Sequence, residues 1–389
     1  MRVVLVHDWF TGVGQELRTL QSLAALFPDS KIATIYYDNR YLPPDIARHR
    51  IQTSFLQNIP GRAKYSHHLM PMYPRAIKRF KFDNIDLMIS NSQGFAKTAN
   101  ACATALNVCY FHQPMPLARQ PLEQQYPRNE INPLRYKFIE NLAARFRQWD
   151  LKTAAGIGLF IASSESSQKL IKRLYDRPAK IIYPPVDTDY FTPNPDSEGG
   201  HFLIVGPLSR RRRIDIAIET FSDIKAKLVV VGEGDDFLRL VNMAPDNVSF
   251  TGHIDDDRLR QLYHDCRALI VTSQSDFSMA AVEAAACGKP VICFSDSGIR
   301  ETLGEQKGVK SVKLEVGKYG VFVEGRSPLS LKESIKAFRE SQFDREQLRN
   351  NALRFSKQVF FQNMRDFLME AYSLFRRDSL VKLEQRLLG

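Results

Sequence analysis

Short apolar runs and amphipathic stretches alternate along nearly the whole chain. Runs at Val3–Val6, Asp86–Ser90, Asn107–Tyr110, Leu159–Ala162 and Lys180–Tyr183 read as buried strands. Between them, segments such as Glu16–Ala25 and Ser166–Leu174 carry apolar residues at helical spacing. Strands that are apolar on both faces, separated by amphipathic helices, predict a parallel sheet covered on both sides.

The alternation stops at "IIYPPVDTDYFTPNPDSEGG", where prolines, glycines and acids make a connector. It resumes with strands expected at His201–Val205, Lys227–Val231, Val248–Phe250, Ala268–Val271, Pro290–Phe294 and Gly320–Val323. The pattern predicts two doubly wound α/β domains, residues 1–183 and 184–360, with a linker over 184–197. Residues 361–389 have helical period and are expected to pack back on the first domain. A length of 389 residues exceeds one ordinary core and agrees with two domains.

Composition narrows the setting. Apolar content of 44% and charged content of 25% suit a globular chain. No apolar run reaches the roughly 18 residues of a spanning helix. The opening "MRVVLVHDWF" reads as a first strand and not as a signal peptide. Five cysteines without metal-ligand spacing suggest reduced, buried thiols in a cytoplasmic protein.

The net charge of +11 is unevenly spread. Residues 60–82 and 132–153 interleave Lys and Arg with aromatic residues, Leu and Met, a pattern that suits an anionic membrane surface as well as a pair of solvated basic helices. A nucleic-acid partner rests on net charge alone and ranks last.

Candidate chemistry gathers where strands give way to helices. After the first strand, "FTGVGQEL" places Gly12 and Gly14 in a tight turn before a helix, where backbone N–H groups and the helix dipole suit an anion. After His201–Val205, Gly206 leaves the strand and Arg210–Arg213 crowd the start of the next helix. Guanidinium groups there oppose the macrodipole, and a bound diphosphate would compensate them. Only one or two of the four need point inward; the alternative is a solvated basic turn.

Glu283, in "AAVEAAACG", is an acid among small apolar residues and needs a partner, either a ribose diol or a nearby Arg. Gly298 and Glu301 repeat the loop-then-helix theme. His112 follows a buried strand at its carboxyl end, which suits either a structural or a substrate-facing role. The run Asp255–Asp257 reads as a helix cap and not as a metal site.

Taken in order, these segments resemble glycosyltransferase family 4, retaining enzymes of the GT-B fold, and among them bacterial mannosyltransferases of surface-polysaccharide assembly. The likeness runs through "HDWFTGVG", "CYFHQPM", "FIASSE", "IIYPPVDTDYF", "RRIDIAIETF", "VVVGEGDD", "VSFTGHIDDDRLRQLY", "VEAAACGKPVI" and "RFSKQVF", nearly the whole chain. It implies two Rossmann-like domains facing a central cleft.

It also implies that Glu283 holds the ribose, that Arg212 stands where a diphosphate-binding Lys is usual, and that Ser275 occupies the place of a sugar-contacting Glu. Gly14, Gly206, Arg212, Arg213, Phe277, Ser278 and Glu283 are the expected donor-binding residues, and His112, Arg212 and Ser275 the expected reacting-centre residues. Further departures are Pro207 for an Arg, Gln15 for a Gly and Ser278 for a Gly.

The resemblance implies transfer of a sugar from a nucleotide donor, GDP-mannose by likeness, to a lipid-linked or surface-polysaccharide acceptor. It implies no cofactor and no metal, because protein cations neutralise the diphosphate. The expected location is cytoplasmic, peripheral on the inner membrane face. The alternative is a non-catalytic relative acting as a binding or scaffold partner, suggested by Ser275, Pro207, Gln15 and Ser278 together.

Overall fold

Val3 and Leu5 pack into one apolar layer of the first sheet and Val4 and Val6 into the other, so the first strand is buried on both faces. The computed structural model describes residues 1–12, 14–62, 65–99, 102, 104–114, 132–197, 199–274, 277–295, 298–303, 314–339, 341–377 and 387–388. The chain forms two units, Met1–Pro185 with Phe360–Gly389, and Val186–Val359.

The first unit is built on seven parallel strands: β1 (Val3–Phe10), β2 (Lys31–Tyr37), β3 (Arg50–Thr53), β4 (Leu87–Ser92), β5 (Leu106–Phe111), β6 (Leu159–Ala162) and β7 (Lys180–Ile181). Their order is β3-β2-β1-β4-β5-β6-β7, so the sheet is wound outward in both directions from β1. Helix α1 (Gln15–Leu26) lays Leu17, Leu20, Leu23 and Ala24 against one face. Phe360, Met364, Phe367, Leu368 and Ala371, from the helix Lys357–Phe375, belong to the same layer. Helix α2 (Pro133–Ala154) supplies Ala143 and Phe146 to the other. No helix among the described residues is long and apolar enough to cross a membrane.

Two features differ from the sequence expectation. Strand β1 does not end at Val6 but continues to Phe10, with His7, Trp9 and Phe10 paired with Thr34, Tyr36 and Tyr37 of β2. A buried aspartate is tolerated there because its carboxylate accepts backbone N–H groups from Gln93 (2.6 Å), Phe95 (2.8 Å) and Ala96 (2.6 Å). Strands β2 and β3 fall outside the expected runs. In β2 Ala33 and Thr34 interrupt the apolar pattern, and the Thr34 hydroxyl donates to the Asp8 carbonyl at 3.2 Å.

The second unit repeats the plan with β8 (His201–Val205), β9 (Lys227–Val231), β10 (Val248–Gly252), β11 (Cys266–Val271), β12 (Val291–Phe294), β13 (Leu314–Val316) and β14 (Gly320–Val323). The order is β10-β9-β8-β11-β12-β14-β13, parallel except for β13 against β14. Chain direction across the sheet reverses between β8 and β11. In open α/β sheets that switch point, at the strands' carboxyl ends, is where ligands bind.

Candidate active site

At the carboxyl end of β8, Gly206 adopts φ 143°, a conformation that favours glycine. Its carbonyl is packed so tightly against Gly232 that a Cβ there would lie 2.0 Å from it. The chain then makes a 3-10 turn, Arg210–Arg212, and reverses at Arg213, whose φ of 52° is left-handed, into helix α3 (Ile214–Ser222). This geometry separates the four arginines. Arg210, Arg211 and Arg213 are exposed, and Arg213 pairs with Asp215 at 3.1 Å. Arg212 is half-buried and folds over Gly206, its Nη1 only 3.0 Å from where a Gly206 Cβ would sit.

The Arg212 backbone is pinned from the neighbouring strand end. The Thr272 hydroxyl, just past β11, donates to the Arg212 carbonyl at 2.6 Å, and Arg326 Nη1, past β14, donates to the Thr272 carbonyl at 2.7 Å. Val205, Gly206, Arg212, Thr272 and Ser273 line a small cavity at the switch point. A wider hollow bounded by Phe221–Lys227 and Asn247 opens at the opposite, amino-terminal end of β9. There the Asn247 amide is already donated to the carbonyls of Phe221, Ile224 and Ala226.

Helix α4 (Met279–Ala286) carries Glu283 in its second turn, 5% exposed. Its Oε2 accepts from the buried Tyr263 hydroxyl at 2.8 Å, and burial together with this carboxylate drives the phenol well above its usual pKa. Ser278 caps the helix by accepting from Ala281 N at 3.3 Å. Phe277 is buried against Phe355, ring centroids 5.6 Å apart. Gly298 precedes the short helix Ile299–Thr302 that holds Glu301. Ser275 and Asp276 lie outside the described residues. Asp255 caps the helix Asp256–Asp265, accepting from Arg258 N at 2.8 Å.

In the first unit, the carboxyl ends of β1, β4 and β5 bring His7, Asn91 and His112 together. His112 Nε2 lies 2.6 Å from Asn91 Oδ1, and its Nδ1 lies 3.1 Å from Gln15 Nε2 at the start of α1. Asn91 Nδ2 donates to the Glu16 carbonyl at 2.7 Å and lies 3.1 Å from His7 Nδ1. His112 is 2% exposed; burial first, then the adjacent His7, push its pKa down to about 3, so the ring is neutral at physiological pH. Both ring nitrogens are therefore engaged within the protein. Gly14 is the extended N-cap of α1 and makes no side-chain cap bond.

Several residues of these clusters are not legible in the sequence, His7 and Tyr263 among them. Asn91 was flagged by nothing except a polar residue ending an apolar run, and Gln15 only as a departure from a resemblance. Thr272 and Arg326 act through backbone carbonyls and leave no local signal.

Residues 187–355 match the family model described as Glycosyl transferases group 1. An uncharacterized glycosyltransferase of Methanocaldococcus jannaschii is 28% identical over 198 residues, 49% of this chain and 53% of that protein. A second from the same organism is 29% identical over 160 residues, 39% of this chain and 38% of that protein. The chain thus spans about half the length, or less, of the curated relatives it matches. Anabaena HepE, solved in complex with UDP, superposes with a TM-score of 0.67 at 17% identity, covering 95% of this chain and 100% of that one. Sucrose-phosphate synthase from Thermosynechococcus elongatus gives 0.69 at 16% identity, covering 96% and 100%. The fold is that of the GT-B glycosyltransferases, two Rossmann-like α/β domains with parallel sheets.

Proposed function

We propose that this chain is a retaining glycosyltransferase that takes a sugar from a nucleoside-diphosphate donor bound by the second unit and delivers it to a glycan or lipid-linked oligosaccharide. The observation that carries the reading is Arg212, the one inward-turned guanidinium of four, held over Gly206 at the switch point of a unit that matches a glycosyl transferase family. A fixed guanidinium in that place favours a diphosphate by charge-assisted hydrogen bonds. It favours the departing diphosphate still more as charge develops on it.

In the reaction the bond from the anomeric carbon to the diphosphate oxygen breaks. The acceptor hydroxyl oxygen bonds to the same face of that carbon, and the leaving diphosphate takes the hydroxyl proton. No metal is required. Glu283, with one oxygen oriented by Tyr263, holds the ribose diol of the donor. GDP-mannose is the first donor to test, on the resemblance, and UDP sugars follow because HepE was solved with UDP and with UDP-glucose.

Calorimetric titration with UDP and GDP tests the donor site. Glu283→Gln is expected to weaken the nucleotide that binds by about tenfold or more, the value of a charged hydrogen bond, and to leave its 2′,3′-dideoxy analogue unaffected. Equal loss for both compounds would remove Glu283 from the ribose, and no binding of either nucleotide to the wild type would sink the donor reading.

The acceptor side of the proposal includes an anionic membrane surface. Helix α2 exposes Leu134 (81%) and Phe138 (65%) beside the exposed cations Arg135 and Lys137. Residues 60–82, which contain no acidic residue, expose Arg75, Lys78 and Arg79. Exposed apolar side chains among cations suit a headgroup interface. Flotation with phosphatidylglycerol-rich vesicles is expected to carry the chain upward, and Leu134→Ser/Phe138→Ser to reduce the floated fraction severalfold. Equal flotation with neutral phosphatidylcholine vesicles contradicts the anionic preference.

A further inference from the structure

We infer that the turn between β1 and α1 reads a neutral sugar hydroxyl through the carbonyl oxygen of Gln15, and that it does not cradle a phosphate. The inference rests on the glycosyltransferase reading above and adds a specificity-determining residue to it.

The orientation of the Gln15 amide follows from a chain of hydrogen bonds that begins at a backbone atom. The Glu16 carbonyl can only accept, so the Asn91 atom 2.7 Å from it is the amide nitrogen. That turns Asn91 Oδ1 toward His112 Nε2, 2.6 Å away, and this nitrogen must carry the proton. The His112 ring is buried and neutral, so Nδ1 holds a lone pair and accepts. Its partner at 3.1 Å is then the Gln15 amide nitrogen. Each assignment leaves one choice for the next. The Gln15 nitrogen is committed inward, and Oε1, which can only accept, is the end turned away from His112.

A second observation bears on the same turn. Glu16 folds back so that its Oε2 lies 3.0 Å from where a Cβ on Gly14 would sit. A carboxylate therefore already stands at the first turn of α1, where the helix dipole would otherwise draw an anion. A phosphate at this turn would meet a like charge and an outward carbonyl oxygen, both repulsive to it. A hydroxyl would donate to Gln15 Oε1 and suffer no such penalty. The turn follows the carboxyl end of β1, the strand from which the sheet is wound in both directions, and that is the end at which open α/β sheets take ligands. The hydroxyl belongs either to the transferred sugar or to the acceptor.

The experiment compares the full chain with Gln15→Leu, with tryptophan fluorescence confirming that the variant folds. Affinity for UDP or GDP, whichever binds the wild type, is expected to stay within about twofold, while kcat/KM for sugar transfer falls roughly five- to tenfold, the value of one neutral hydrogen bond. Hydrolysis of the nucleotide sugar, with water as acceptor, separates the sources. A fall in both hydrolysis and transfer assigns the hydroxyl to the donor sugar, and a fall in transfer alone assigns it to the acceptor. Unchanged hydrolysis and transfer overturn the inference, and so does a comparable loss of affinity for UDP or GDP itself.

Nuclear magnetic resonance of the His112 ring checks the orientation without any turnover. The wild type should hold the neutral Nε2–H tautomer between pH 8 and about 5, because burial disfavours the charged ring. Gln15→Glu, which puts a carboxylate against Nδ1, should raise the His112 pKa by about two units or more. An Nδ1–H tautomer in the wild type overturns the assignment. Failure of UDP and GDP to bind the wild-type chain sinks the donor reading instead, and Gln15 is then judged on the His112 tautomer alone.

Discussion

Lys97→Met is expected to destabilise the first unit by about 3–5 kcal/mol, the cost of leaving one member of a buried ion pair without its partner. Lys97 and Asp150 are 0% and 3% exposed, with Nζ 2.7 Å from Oδ1 as a charge contact. The ammonium also donates to the Gly94 carbonyl at 2.6 Å, and Asp150 Oδ2 accepts from the Tyr175 hydroxyl at 2.7 Å. Methionine matches the lysine stem in volume, so the expected loss comes from charge and not from a cavity.

That assignment has its own control. Lys97→Met/Asp150→Asn removes both charges and should be clearly more stable than Lys97→Met alone. Both tryptophans of the chain, Trp9 and Trp149, lie in the first unit, so their fluorescence during urea unfolding reports this unit separately. A Lys97→Met variant within about 1 kcal/mol of wild type would mean that the pair is hydrated in solution.

Arg212→Ala is expected to lower kcat/KM for nucleotide-sugar turnover by roughly 10- to 150-fold, from the ~1.5–3 kcal/mol of one charged hydrogen bond. Because charge on the diphosphate grows as the glycosidic bond breaks, the larger part of the loss should appear in kcat and the smaller in KM. Arg212→Lys should recover only part of it, since a point charge lacks the planar fork. The neighbouring Arg210 and Arg211 supply the contrast. Arg210→Ala and Arg211→Ala alter exposed side chains and should cost no more than a fewfold. Equal losses at all three positions would mean that the turn acts as a diffuse positive patch, and Arg212 would lose its assigned role.

Much of the fold can be read from the order of residues because its signal is local. Strand β8, helix α1 and the core positions of α4 each follow from a run of apolar residues at one period. Strand β2 escapes that reading because Ala33 and Thr34 break the run, and the hydroxyl reaches the Asp8 carbonyl through a tertiary contact that no local pattern announces.

The candidate site divides along the same line. The four-arginine run and Glu283 stand out in the sequence by charge and context. Which arginine turns inward depends on a 3-10 turn and on the left-handed backbone of Arg213, which no run of basic residues specifies. The Lys97–Asp150 pair joins "GFAKT" to "QWDLK", and nothing in either segment names the other. The hydrogen-bond chain from Asn91 to Gln15 joins residues of three separate segments and exists only once β1, β4 and β5 are aligned. The Ser275 position, prominent in the sequence, lies outside the described residues.

The central claim is sugar transfer from a nucleotide donor, and phosphorus magnetic resonance of the full chain tests it most directly. The chain is incubated with GDP-mannose, UDP-glucose and UDP-galactose in turn, with a lipid-linked oligosaccharide as acceptor. The account predicts that at least one nucleotide sugar is converted to free nucleoside diphosphate, without added metal, and that Arg212→Ala slows this by tenfold or more, in line with the loss of one charged contact. Donors left intact by the wild type, or consumed equally fast by Arg212→Ala, would contradict it.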